Sequence, residues 1–354
     1  MAVLPASMPA AVYRAPGRLE VEKRPVPRPG PGDVLVEVSH CGVCGSDLHF
    51  VLEGWGRPGS VGGHEYAGRV VAIGDGVTAW QVGDAVAGGP RPTCGHCRAC
   101  AAGRPSLCDG RDAPGAGGAD GAFARYVQVP ADALVRVPPE LDLRAAALAE
   151  PLAVALHGIA QSGVQPGGRA LVCGAGPIGA LVIAALRTQD VDVVVTEPGE
   201  ERRALATRLG ATEVLAPDDL DVPSFGDVGR VVDGAVDVAI ECSGRASAME
   251  AALTQLVRGG TLVLVGAGID PPRFDQNRIL VNELVVTGSF EYGAGGVDEA
   301  VRLLASGVLP VEDLVEPADV PLPDLLGAME RLATGELAGK VLVTPNSGGK
   351  ERDG

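Results

Sequence analysis

From about residue 153 the chain alternates short, almost wholly apolar runs with helical stretches. RALVCG is followed by an apolar helix through IGALVIAALRTQ, DVVVTE by a helix through EERRALATRLG, and then come EVLA, VDVAIE, TLVLVG and LVVTG. A strand that is apolar on both faces is covered on both faces, so this pattern predicts a parallel sheet between two helix layers, an α/β doubly wound unit. The first strand runs directly into Gly174-Ala-Gly176-Pro177-Ile178-Gly179 and then a helix. In that context Gly174 permits a tight turn, Gly176 lets backbone approach a pyrophosphate, and Gly179 lets helix and strand pack closely. The helix N-terminus adds unpaired N–H groups and a positive dipole end. Glu197 ends the next strand, where a carboxylate accepts from ribose hydroxyls and repels a 2′-phosphate, so NAD is favoured over NADP. Arg202 and Arg203 lie close enough to temper that preference. The competing reading is a glycine-rich turn that binds no nucleotide.

The first 150 residues have a different texture. DVLVEVS, GRVVAIG and ARYVQV are short β-branched runs between Gly/Pro turns, as in a twisted antiparallel barrel. The tail, with a helix in VDEAVRLLASG and a strand in GKVLVTP, is expected to return to this barrel. The expected division is therefore 1–152 with 291–354, and 153–290. Two units suit 354 residues. A net charge of −16 excludes a nucleic-acid partner, because nothing here neutralises a row of phosphates. There is no apolar run of about 18 residues to suggest a membrane span, and MAVLPASMPA lacks the features of a signal peptide. A cytoplasmic location is expected, and SGGKERDG at the C-terminus reads as frayed.

Eight cysteines are unevenly placed. Cys94, Cys97, Cys100 and Cys108 fall within fifteen residues, a spacing that closes tetrahedrally around one structural zinc. Two disulfides and an iron–sulfur cluster are the alternatives, the first disfavoured in a reducing cytosol and the second by the lack of another redox motif. His96, inside this lobe, is surplus. Cys41-Gly-Val-Cys44 has no second C-x2-C to complete a clasp. Its useful partners are His64 and Glu65 in GHEYAG, and Glu150 in AEPL. A thiolate, an imidazole and a carboxylate from separated segments leave a zinc with one open position, as catalysis requires.

CGVCGSDLH at 41–49, GHEYAGRVVAIGDGV at 63–77, the four-cysteine lobe and GAGPIG at 174–179 occur in this order. With them the chain resembles the zinc-containing medium-chain dehydrogenase/reductase family, in its polyol and threonine dehydrogenase branch. The resemblance implies a GroES-like catalytic domain and a Rossmann domain with the site between them. It makes Cys44 and His64 zinc ligands. It also implies that Glu150 stands where other members have a thiolate, and that Glu65 approaches the metal, as a direct ligand in sorbitol dehydrogenase-like members. Which glutamate ligates in the resting state stays open. Cys41 becomes a packing residue. Ser46 and His49 become a proton relay, the competing role for Ser46 being a turn cap. Asp47 reads as a supporting or capping group and His157 as a packed histidine. The loops at Cys242, Gly266 and Ser289 would line the nicotinamide side, and ILVNELVVTGSF would pair across a two-fold in a homodimer or homotetramer.

The activity so implied is zinc-dependent hydride transfer between NAD and a secondary alcohol or polyol, with cyclitols and amino alcohols as variants. The alternatives are a carbonyl or imine reductase, and a zinc-stabilised NAD-binding protein without catalysis. Two departures turn away from sorbitol itself. FVLEGWGRPGSVGG, between His49 and His64, is short, and Glu291-Tyr292 stands where an arginine precedes the tyrosine in those relatives. Phe50, Trp55 and Tyr292 are expected to wall the pocket, with Glu291 favouring a cationic or hydroxyl-rich ligand.

Overall fold

A computed structural model describes residues 4–89, 93–110 and 121–346; the stretch SGGKERDG, expected from sequence to fray, lies outside them. The N-terminal strands β1 (Ser7–Ala15) and β2 (Arg18–Pro25) form an antiparallel hairpin. β3 (Asp33–Gly42) pairs antiparallel with β4 (Glu65–Ile73) and with β6 (Tyr126–Pro130). β5 (Ala85–Gly88) joins β4 to β7 (Leu134–Arg136). Val34, Leu35, Val36, Val38, Val70 and Val86 meet inside this barrel-like sheet. Between β3 and β4 the chain makes one short helix, Gly45–Val51.

The second sheet is wholly parallel. β8 (Arg169–Cys173), β9 (Asp192–Thr196), β10 (Glu213–Leu215), β11 (Val236–Glu241), β12 (Leu256–Leu264) and β13 (Val285–Gly288) lie in the order β10-β9-β8-β11-β12-β13. This is the doubly wound order expected from the alternation of apolar runs and helices, with its switch point beside β8. Val172, Val193, Val195 and Ile240 are buried against Leu181, Ile183 and Leu186 of helix Pro177–Arg187.

Helix Ala149–Ser162 joins the two sheets, and its first turn carries Glu150. The helix Gly296–Ala305, assigned from sequence to the unit holding the tail, packs on helix Ala149–Ser162 and on β7, burying Val297, Ala300, Val301 and Leu304 in a core to which both sheets contribute. The chain then returns. β14 (Val320–Pro321) pairs with β15 (Leu342–Thr344), and β15 pairs antiparallel with β3 through Leu342↔Gly42 and Val343↔Cys41. That register delivers Lys340, two residues before β15, to the start of β4. Among the described residues no helix is long and apolar enough to cross a membrane.

The glycine motif closes as its spacing requires. Gly174 turns with φ 88°, and a Cβ on Gly179 would run into the Gly174 carbonyl oxygen. Gly179→Val is therefore expected to push helix Pro177–Arg187 off β8. Overpacking of this kind costs about 1–3 kcal/mol. Urea unfolding should show that loss together with weakened NADH binding by fluorescence titration.

Candidate metal centre and nucleotide cleft

Cys44 caps the helix Gly45–Val51, and its backbone N–H donates to Asp47 Oδ2 at 2.9 Å. The other Asp47 oxygen lies 4.0 Å from His64 Nδ1. One buried carboxylate thus holds the cysteine turn by a hydrogen bond and lies at ion-pair distance from the imidazole. This matches the supporting role read for Asp47. Glu65, the first residue of β4, is fully buried. The donor atoms of Cys44, His64 and Glu65 lie within 4.8 Å of one another.

Two features of this trio fit a divalent metal. Glu65 Oε1 accepts from Lys340 Nζ at 2.7 Å, whereas Oε2 is buried with no hydrogen-bond partner. An orphaned carboxylate oxygen beside a thiol and an imidazole suits a cation. The His64 ring, despite burial that opposes charge, is held well above the usual imidazole range by Cys44, Asp47 and Glu150. The donors collectively call for positive charge.

Glu150 stands beside the trio, buried at the start of its helix. Burial pushes its carboxyl up to about 8, His64 and Lys340 opposing and Glu65 and Glu291 adding to the rise. The Glu150 side chain and the Tyr292 hydroxyl converge over Gly89, at 2.8 Å and 2.5 Å from where a Cβ on that residue would sit. Tyr292 therefore lies at the pocket, as read. Phe50 is half-buried, but Trp55 is 53% exposed and stacks on His49 instead of lining a deep wall. Ser46 is half-buried in the first turn of its helix, and His49 lies one turn further on. Cys41 is buried in the barrel core outside the trio.

The second cluster is closed. Sulfur atoms of Cys94, Cys97, Cys100 and Cys108 also lie within 4.8 Å of one another, and none is in a disulfide. Backbone N–H groups point at them: Cys94 to Cys108 Sγ (3.2 Å), Cys97 to Cys94 Sγ (3.3 Å) and Gly110 to Cys108 Sγ (3.3 Å). Such bonds favour thiolates, and those from Cys100 and Asp109 bring Cys97 down to about 6. His96 is exposed and bonds through Nδ1 to the Cys94 carbonyl at 2.7 Å, so it is surplus here too.

At the nucleotide cleft, Gly176 caps helix Pro177–Arg187, with Pro177 and Ile178 in its first turn. Glu197 is buried, its oxygens accepting from Ala175 N–H and Gly199 N–H, each at 2.8 Å. The carboxylate thus ties the glycine loop to the end of β9. Arg202 donates to the carbonyls of Leu332 (2.9 Å) and Leu337 (3.1 Å), and Arg203 to that of Glu197 (2.9 Å). Both guanidinium groups are thus bonded to backbone carbonyls. Cys242 is half-buried, next to the loop where Gly266 packs against Gly244. Ser289 is buried with an unpartnered Oγ. His157 is part-buried and beside Gln161.

Residues 30–139 match the alcohol dehydrogenase GroES-like domain model and residues 177–306 the zinc-binding dehydrogenase model. Sorbitol dehydrogenase of Bacillus subtilis (strain 168) is 34% identical, over 97% of this chain and 99% of its own. A Sinorhizobium meliloti 1021 dehydrogenase structure bound to NADP superposes with a TM-score of 0.85 at 34% identity, covering 96% of this chain and 100% of that one. For 2R,3R-butanediol dehydrogenase from Bacillus subtilis the TM-score is 0.84 at 32% identity, over 96% and 100%. The chain belongs to the zinc-containing alcohol dehydrogenase family. It is a zinc-dependent, nicotinamide-linked oxidoreductase of the medium-chain type, with the GroES-like and Rossmann-type fold.

Two members of the site escaped sequence reading. Lys340 is only 1% exposed, and its ammonium also donates to the Val43 carbonyl at 3.1 Å. Nothing in GKVLVTP separates a buried lysine from the usual solvated one. Gly42 pairs with Glu65 across β3 and β4, and a Cβ there would collide with Glu65 Oε2. Only the register shows that. Lys340→Met should leave the Glu65 carboxylate buried and unpaired, a cost of about 3–5 kcal/mol. Urea melts of the variant should show it, with Lys340→Arg losing less.

Proposed function

We propose that this dehydrogenase oxidises a secondary alcohol of a polyol or cyclitol, with NAD as hydride acceptor. The observation that carries the reading is the Cys44–His64–Glu65 trio, whose Glu65 Oε2 has no other partner and which has Glu150 alongside. Carboxylate donors in place of a second thiolate mark the polyol branch, and the Bacillus relative is a sorbitol dehydrogenase. Cys44, His64 and Glu65 would hold the catalytic zinc at rest, with Glu150 as the exchanging ligand. Cys94, Cys97, Cys100 and Cys108 would hold the structural one. Zinc bound at the trio supplies Lewis acidity that eases loss of the substrate hydroxyl proton.

The chain's own groups do the rest. Ser46 accepts that proton and His49 carries it outward. Tyr292 and Glu150 close one side of the carbinol. Gly174, Gly176, Pro177, Ile178 and Gly179 cradle the pyrophosphate, Glu197 receives the adenosine ribose, and Cys242, Gly266 and Ser289 border the nicotinamide. Arg202, held on Leu332 and Leu337, steadies the loop near Gly176. Buried Glu197 and the engaged arginines support NAD over NADP. The reverse reaction, carbonyl reduction, uses the same groups.

We also propose the division 1–152 with 291–354 and 153–290, a cytoplasmic location, and a homodimer or homotetramer. Val285, exposed on the edge strand β13, and Leu280 and Val281, exposed on the helix that precedes it, support pairing between copies.

Polyols, cyclitols, amino alcohols and simple secondary alcohols should be screened by NADH absorbance. Turnover of a polyol or cyclitol is expected, at a higher kcat/KM with NAD than with NADP. No turnover in either direction from fully zinc-loaded protein would sink the reading. Metal analysis should find two zinc per chain, falling to one in Cys44→Ala. Failure to lose that zinc would remove Cys44 from the site.

A further inference from the structure

Helix Gly45–Val51 is followed by a tight reversal, in which Trp55 N–H donates to the His49 carbonyl (3.2 Å) and Gly56 N–H to that of Phe50 (3.0 Å). The reversal places two side chains on the His49 ring. Glu53 Oε2 lies 2.7 Å from His49 Nδ1. The Trp55 indole stacks on the imidazole, with ring centroids 4.8 Å apart and planes 16° from parallel. The histidine side chain is 19% exposed and Glu53 39%, so the pair stands at the protein surface with access to solvent. For stability such an exposed i,i+4 pair is worth little. Holding a ring by one face and one nitrogen is instead what a proton-transfer histidine requires.

We propose that Glu53 is the positioning residue that sets His49 as the outlet of the proton path, an inference that rests on the dehydrogenase reading above. A carboxylate can only accept, so the neutral ring bonded to it carries its hydrogen on Nδ1 and presents the Nε2 lone pair. Nε2 is then the atom that receives the proton. The substrate O–H bond breaks, its proton passes by way of Ser46, and an N–H bond forms at Nε2. The carbinol hydrogen leaves as hydride to the nicotinamide. Glu53 balances the charge gained by the ring, as the carboxylate does in a Ser-His-Asp triad. The Nε2 proton is then released to water or buffer, restoring the Nδ1–H form. Trp55 limits ring rotation during this exchange.

The tautomer can be read without turnover. The chain has five histidines, so 15N-histidine spectra of the zinc-loaded protein are tractable, with His49→Asn assigning the signal. His49 is expected in the Nδ1–H form in the wild type and in Glu53→Gln, whose amide oxygen still accepts. In Glu53→Ala it should revert to Nε2–H. With a turned-over alcohol, Glu53→Ala should lose kcat by about tenfold, below the ~10²–10⁴ of a full general base. Rising imidazole buffer should restore that rate, while KM, zinc content and urea midpoint stay unchanged. Glu53→Gln, keeping the tautomer but not the charge, should fall between. A wild-type His49 protonated on Nε2, or a Glu53→Ala enzyme at full rate without buffer response, overturns the proposal. If no alcohol is oxidised at all, the dehydrogenase reading fails and the tautomer result alone decides the role of Glu53.

Discussion

The structure is organised around one buried ion pair. Lys340 reaches Glu65 at 2.7 Å with both side chains removed from solvent. A carboxylate alone at that depth would be driven to its neutral form. Lys340 satisfies one oxygen of Glu65 and leaves the second without a protein partner, free to serve a metal. Burial works against the charge of Lys340, but Glu65 reverses that and holds its ammonium above the ordinary lysine range. The pair also joins residues that are 275 apart in sequence, so the metal centre is complete only once the C-terminal segment has docked.

That dependence explains why the tail returns to the barrel. β15 pairs with β3 at Cys41 and Gly42, two to three residues before Cys44 begins the ligand turn. Arg202, on the helix after β9, binds the carbonyls of Leu332 and Leu337 just upstream of Lys340. One stretch of chain thus touches the nucleotide-binding sheet at one end and the metal carboxylate at the other. Helix Ala149–Ser162 makes a second link, with Glu150 buried in its first turn and Leu152 and Ile159 in the shared core. The cleft is built from segments that both sheets hold in place.

Local patterns were legible wherever one stretch of chain carries the chemistry. Gly174 to Gly179, Glu197 and the four clustered cysteines lie where turn geometry and ligand spacing put them. Contacts that depend on register were not. Trp55 reads as a pocket wall because it is aromatic and lies near His49, yet a tight turn lays it flat on that ring. Glu53 looks like any surface glutamate until the same turn is seen. The helix Gly296–Ala305 reads as part of the tail, and no local pattern shows that its apolar face packs on helix Ala149–Ser162 and β7.

The sequence by itself therefore determined the parallel sheet, the closed cysteine lobe, the nucleotide turn and the candidate donors Cys44, His64, Glu65 and Glu150. These follow from periodicity and spacing, which act over a few residues. Only the tertiary structure brought Glu65 together with Cys44 and His64 and left Glu150 alongside, because the difference comes from a lysine at the far end of the chain. It likewise showed that Asp47 holds the cysteine turn and lies at ion-pair distance from His64, and that Glu53 bonds the outer histidine. Electrostatic partners of buried or clamped groups are chosen by docking in three dimensions, and no local pattern records them.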